Sequence, residues 1–306
     1  MNTIRTPGEL DAALAQGTLK GAQLEGLDLS DWDARGADLS GTRWNAVRLT
    51  GARLGSVNLT GAVFEACDVT EVDLAGAVLT GANMSKARVS SRCVEGADLR
   101  GARFFCADFT ECVLRNTKVT GAVFEQTLLV RVDAEGVDFR GCDLTRAVMT
   151  DAKLARANLS GVKAKQLSVG GADLSGALLG AIAAPLANAR KAKLDGAHLE
   201  QGVFTSASFD GASLRKAFAS GASFERARLV GTDLRAASLP GANFVYADVS
   251  HAKFDVADLT NSNFENANVH RTGFAEAKLA GARMGGVRKT DPDRAKAEDF
   301  DPEKKT

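Results

Sequence analysis

Histidine is nearly absent from this 306-residue chain, which has three, and its five cysteines are odd in number with no Cys-x-x-Cys pair. The first scarcity leaves little material for acid–base chemistry, and the second offers neither a disulfide framework nor zinc-ligand spacing. Net charge is missing as well. Thirty-eight Lys and Arg balance 38 Asp and Glu, so no whole-protein field draws the chain toward nucleic acid or an anionic membrane. No apolar run approaches the roughly 18 residues of a membrane span. The opening MNTIRTPGEL lacks the apolar core of a signal peptide, so a cytoplasmic protein is expected.

What the chain does have is a small-then-large pattern every five residues. In EGADLRGARFFCADF, residues 95–109, Ala97, Ala102 and Ala107 each precede a larger apolar residue by two positions: Leu99, Phe104 and Phe109. That period fits neither a helix nor a flat strand. With the large residue taken as the centre, centres run in unbroken steps of five from Leu19 to Met284, 54 pentads in all. Residues two apart on an extended segment face the same way, so the small residue and the centre point inward. The residue between them, often Asp or Asn as in Ala37-Asp38-Leu39, points to water. Two residues remain to turn a corner, and a chain that bends after every short extended segment coils into a solenoid.

A slower period sets the size of the coil. Every fourth centre forms a column that is nearly all leucine, including Leu19, Leu39, Leu59, Leu159, Leu179, Leu239 and Leu259. The column one pentad later carries Phe64, Phe104, Phe124, Phe204, Phe224, Phe244 and Phe264. Glycine fills 11 of the 14 positions three residues before the centres of that second column, as expected of a corner that excludes a Cβ once per turn. Four pentads per coil satisfies all three signals, and stacking at about 4.8 Å gives a rod roughly 65 Å long. Where a centre shrinks to alanine its partner grows, as in Val162 with Ala164 and Ile182 with Ala184, which is the volume exchange of a close-packed core.

These residues resemble the pentapeptide-repeat family, whose motif is A(D/N)LXX, over residues 17 to 287. The resemblance implies an all-β, right-handed quadrilateral β-helix, here of about 13 coils.

Both ends need covering, because a solenoid exposes backbone donors and apolar side chains there. Residues 1–16 supply a short capping helix: Thr6 and Glu9 form a capping box, Pro7 suits the first helical position, and Gly17 can stop the helix. Residues 17–287 form the β-helix. Residues 288–306 read as a charged, mobile tail, with Phe300 free to tuck onto the last coil or a second copy to pair there as a dimer. The weakest register is 181–191, where Ala184 and Ala189 are poor centres, leaving a bulge or a soft joint.

No catalytic constellation emerges. His198 lies mid-face, and His251 and His270 fall near one another on a corner without a third ligand at a recognisable spacing, so all three read as solvated surface residues. The dispersed Asp and Asn residues read as surface solvation. Cys67, Cys112 and Cys142 occupy small inward positions, while Cys93 and Cys106 face outward. Neither a cofactor nor a metal is expected. On the phenylalanine side, outward Phe105, Val123, Val203, Val245 and Tyr246, with Val63, Pro185 and Leu186, form a candidate partner-binding face. Arg146, Lys163 and Lys165 form a candidate basic patch on the same side, with Asp143 partly offsetting it.

A side-chain-filled solenoid has no interior for a substrate but presents long rigid faces, so the expected function is a non-enzymatic protein–protein interaction rod. The resemblance places it in bacteria. It also implies two alternatives: a DNA mimic that binds DNA gyrase or topoisomerase IV and confers fluoroquinolone resistance, and an accessory or effector of a secretion system. Zero net charge disfavours the mimic, since duplex DNA carries one negative charge per about 1.7 Å. Direct nucleic-acid binding is not expected.

Overall fold

In the computed structural model, which describes residues 3–89 and 94–299, the pentad sets both the inside and the outside of the chain. Ala52 and Leu54 are buried, and Arg53 between them faces outward and bridges Asp33 below and Asp73 above, all in parallel. Its backbone N–H donates to Trp32 O (2.7 Å), and Leu54 N–H donates to Asp73 O (2.8 Å). The same 20-residue register recurs along the described chain, which is the four-pentad coil expected from the leucine and phenylalanine columns. Only one residue per pentad lies in each ladder, so most bridges stand alone. Near the N-terminus the extended segments lengthen into strands: β1 (Thr3–Ile4), β2 (Gln23–Glu25), β3 (Arg43–Asn45) and β4 (Val63–Glu65) form a parallel sheet in that order. Leu24 pairs with Trp44, and Trp44 with Phe64.

Each corner is a tight turn whose third residue has positive φ. Gly51, at φ 71°, lies inside the turn closed by Ala52 N–H to Leu49 O (2.9 Å). Here the glycine expectation is corrected. The positive φ occurs on all four sides of the coil and, among the described residues, is adopted by 30 other than glycine. A Cβ built on Gly161 meets nothing within 4 Å, so conformational cost selects glycine, not lack of room. Val256 is the most costly of the occupants, a β-branched residue at φ 60° whose side chain is 57% exposed. Val256→Gly is therefore expected to stabilise the rod by about 0.5–1 kcal/mol. A lowered urea midpoint would mean that the valine makes contacts outweighing its strain.

Inside, like stacks on like. Phe204, Phe224, Phe244 and Phe264 lie face to face with centroids 5.4, 5.2 and 4.6 Å apart. Rings of other columns, including Phe209 and Phe254, meet them edge-on. Polar residues at small inward positions donate to the backbone: Thr127 Oγ1 to Phe104 O (2.6 Å) and Thr232 Oγ1 to Phe209 O (2.8 Å). Through 181–191 the ladder is unbroken, with Ala183 bridged to Lys163 and Val203. The small centres nevertheless leave an apolar void of about 20 Å³ beside Ile182, Ala184, Ala187, Ala189, Phe204 and Phe209.

At the first end, α1 (Pro7–Ala15) carries the Thr6/Glu9 capping box and buries Leu10 and Ala13. Gly17, at φ 64°, ends it: its N–H reaches Leu14 O and that of Thr18 reaches Ala13 O, a Schellman closure. Ahead of it β1 extends the stack by one rung, a two-residue strand too short to read from the sequence. At the other end, within the charged segment, α2 (Pro292–Glu298) forms behind an Asp291 cap. Phe300 lies outside the described residues. The last coil is open, with Leu279 39% exposed and Phe274, Met284 and Val287 half-buried. Among the described residues no helix is long and apolar enough to cross a membrane.

Candidate functional site

The outward Asp and Asn residues do more than solvate the surface. Asp98 Oδ1 accepts the backbone N–H of Arg100 (3.2 Å), Asp258 that of Thr260 (3.0 Å), and Asn158 that of Ser160 (3.1 Å). Each side chain thus supplies an acceptor to the donor two residues on, where the corner begins. This local bond is the physical reason for a short amide or carboxylate before the centre, and it corrects the solvation reading. Where arginine follows, the pair closes further: Asp33, beside the Arg35 guanidinium and backbone N–H, is held down at about 2. Arg100, Arg140 and Arg235 hold Asp98, Asp138 and Asp233 below the usual carboxylate range in the same way.

The ladder register places the phenylalanine-side residues in three columns. Val123 is bridged to Arg103 and Asp143, and Val203 to Ala183 and Ser223, so the two valines lie four coils apart with Asp143 and Lys163 between them. Phe105 and Val123 are half-buried, and Val245 sits beside Tyr246, a residue 52% exposed with the Arg226 guanidinium over its ring (5.5 Å). The five residues are therefore separate spots, not one patch. In the middle of this side Leu186 and Val203 are exposed. The basic group is compact by comparison: Arg146 N–H donates to Lys165 O (2.8 Å), and its Nε to Gln166 Oε1 (3.0 Å), while Lys163 is bridged to Asp143 in the preceding coil.

A contiguous column of two apolar side chains around a histidine lies on the leucine side instead. Leu178, His198 and Phe218 are bridged in successive coils; Leu178 and Phe218 are 40% and 44% exposed, and the His198 and Phe218 rings stack at 4.8 Å. Glu200 holds the His198 ring through Nδ1 (3.0 Å). Beside the column, Gly180, Ala181, Ser220 and Gly221 are small, with Glu200 and Gln201 between them. Reading outward positions at a spacing of 20 would have found it, because 178, 198 and 218 are consecutive members of one column.

The histidine corner also differs from expectation. His270 is 2% exposed, and α2 delivers the missing third group: Glu298 Oε2 lies 3.1 Å from His270 Nε2 and 3.4 Å from His251 Nε2. The His270 ring, together with Arg294, brings the Glu298 carboxyl down to about 2. Spacing along the sequence could not reveal this, since Glu298 is 28 residues from His270 and belongs to a helix outside the repeat. The cysteines are quiet. Cys112 and Cys142 are buried, and burial pushes the Cys142 thiol up to about 12. Cys67 is half-buried with its thiol likewise raised by burial, Cys106 is exposed, and Cys93 lies outside the described residues.

No curated protein matches the chain. Among solved structures, trypsin-treated QnrB1, a plasmid-mediated fluoroquinolone resistance protein, is 19% identical over 65% of this chain and 91% of its own, with a TM-score of 0.26. HetL, a pentapeptide repeat protein involved in heterocyst differentiation regulation from Nostoc sp. strain PCC 7120, is 24% identical over 95% and 98%, with a TM-score of 0.19. A pentapeptide repeat protein from the Arabidopsis thaliana thylakoid lumen is 30% identical over 34% and 69%, also at 0.19. Superpositions this loose carry no argument of their own. The family model for pentapeptide repeats, in contrast, matches residues 28–65, 58–91, 107–146, 142–180, 186–218, 220–255 and 257–288. The chain belongs to the pentapeptide-repeat family.

Proposed function

We propose that this chain is a non-enzymatic interaction rod, a right-handed quadrilateral coil of about 13 turns over residues 17–287 that binds a protein partner through one flat face. The observation that carries this reading is the Leu178–His198–Phe218 column, contiguous over three coils with Leu178 and Phe218 exposed. Isolated exposed apolar side chains are ordinary, but a stacked run on a flat rigid surface suits a partner contact. The interior is filled by side chains, so contact must occur on the outside.

The DNA-mimic reading, with gyrase or topoisomerase IV as partner, has less support from the charges. The 38 acidic residues are matched by 38 basic ones, and outward Asp98, Asp138 and Asp233 each pair with an arginine two residues on. A secretion-system role would use the same face. The open last coil, with Leu279 exposed beside Phe274 and Met284, is where a second copy would dock to form a homodimer.

Capture from bacterial extract tests the face. The rod is used as bait beside Leu178→Asp/Phe218→Asp and beside Phe105→Asp/Tyr246→Asp, with thermal melts confirming that each is folded. The expected result is a partner retained by the second variant and lost at least tenfold by the first. The reverse pattern would return the contact to the phenylalanine side, and recovery of topoisomerase subunits would favour the mimic.

A further inference from the structure

We propose that His251, His270 and Glu298 form a structural site for a borderline transition-metal dication of the zinc class, which staples helix α2 to the last two coils. The imidazole nitrogens and carboxylate oxygen of the three side chains all lie within 4.8 Å of one another. Zinc bonds of 2.0–2.1 Å at tetrahedral angles place neighbouring ligand atoms about 3.3 Å apart. The carboxylate already meets that spacing, at 3.1 and 3.4 Å from the two Nε2 atoms. Two nitrogens and one oxygen leave a fourth position for water, and this donor set suits zinc and its neighbours better than magnesium or calcium.

The surroundings orient the carboxylate. Arg294 Nε binds Glu298 Oε1 (2.8 Å), leaving Oε2 directed at the histidines. Arg271 approaches the same oxygen with Nε at 3.4 Å, while its terminal nitrogens are held by Asp299 (2.9 and 2.6 Å) and Ala295 O (2.6 Å). His270 is enclosed, and His251 sits on the adjacent coil with its ring centroid 5.4 Å away. Without metal, His270 Nδ1 accepts from the Asp291 N–H (3.2 Å), which places the ring proton on Nε2, facing the carboxylate. Loading moves that proton to Nδ1 and gives up the Asp291 bond, so the first turn of α2 shifts as the metal enters.

The test uses the full chain, freed of metal by chelator and titrated with Zn2+ alone by calorimetry, and with Co2+ alone by visible absorption. One equivalent is expected to bind, with the intense d–d bands of four-coordinate cobalt and greater hydrogen-exchange protection at 292–298. Glu298→Gln, which keeps a hydrogen-bonding group without the charge, and His251→Ala, at an accessible ring, are each expected to weaken binding by about 10- to 100-fold. His198→Ala, on the distant leucine side, is expected to leave the cobalt spectrum unchanged. Failure to bind, six-coordinate cobalt bands, or undiminished binding by Glu298→Gln and His251→Ala would overturn the site.

Discussion

Leu159→Asp is expected to abolish the cooperative fold. Leu159 has no exposed surface and stands in the leucine column between Phe139 and Leu179, so an aspartate there would be ionised among hydrocarbon with no partner. Losing a buried leucine alone costs about 2–5 kcal/mol, and the stranded carboxylate adds several more. Together these rival the roughly 5–15 kcal/mol by which whole domains are stable. Because each coil touches only its neighbours, the break is local at first, and the coils on either side lose the rung that joined them. One residue away Asn158→Asp should be nearly silent, since the new carboxylate can accept the Ser160 N–H that Asn158 Oδ1 now accepts at 3.1 Å. Circular dichroism through a urea titration checks the pair. A soluble Leu159→Asp rod with an unchanged midpoint would contradict the inward assignment of the whole column.

That contrast between positions one residue apart marks how far the sequence alone reaches. Burial follows from the five-residue phase because inward positions repeat with no insertion, and Leu159, Phe224 and Ala222 are all buried as that phase requires. The 20-residue coil could be read because unlike residues would not stack: phenylalanines recur at that spacing, and the rings do lie face to face. The corner conformation was misread because composition cannot separate two demands that both favour glycine, absence of a Cβ and positive φ. Only a residue such as Val256, bulky yet at φ 60°, tells them apart. The Asp and Asn bonds were hidden because an outward polar side chain looks the same whether it faces water or its own backbone. Glu298 was out of reach for another reason: its neighbours His251 and His270 obey the repeat, while the helix that carries it does not.

Phe224→Ala tests what the aromatic column contributes beyond filled volume. Phe224 is fully buried, stacked on Phe204 and Phe244 at 5.4 and 5.2 Å and met edge-on by Phe209 at 5.6 Å. Truncation of such a ring is expected to destabilise the rod by about 3–5 kcal/mol. The chain itself suggests the rescue, since Ile182 with Ala184 and Val162 with Ala164 fill comparable rungs with the large residue at the other inward position. Phe224→Ala/Ala222→Ile copies that exchange. If packing volume dominates, the double variant recovers more than about half of the loss, though not all of it, because the Ile182–Ala184 rung still leaves a void of about 20 Å³. If the ring stack carries energy of its own, roughly 0.5–1.5 kcal/mol for each face-to-face or edge contact, recovery stays small, because isoleucine offers no quadrupole to Phe204 or Phe244. Volume is the expected winner: the same rod runs through Leu144, Ala164 and Ala184 in this column without a break in its bridges. Denaturant midpoints of the three proteins decide between the two accounts, and a double variant no more stable than Phe224→Ala would assign the column's stability to its rings.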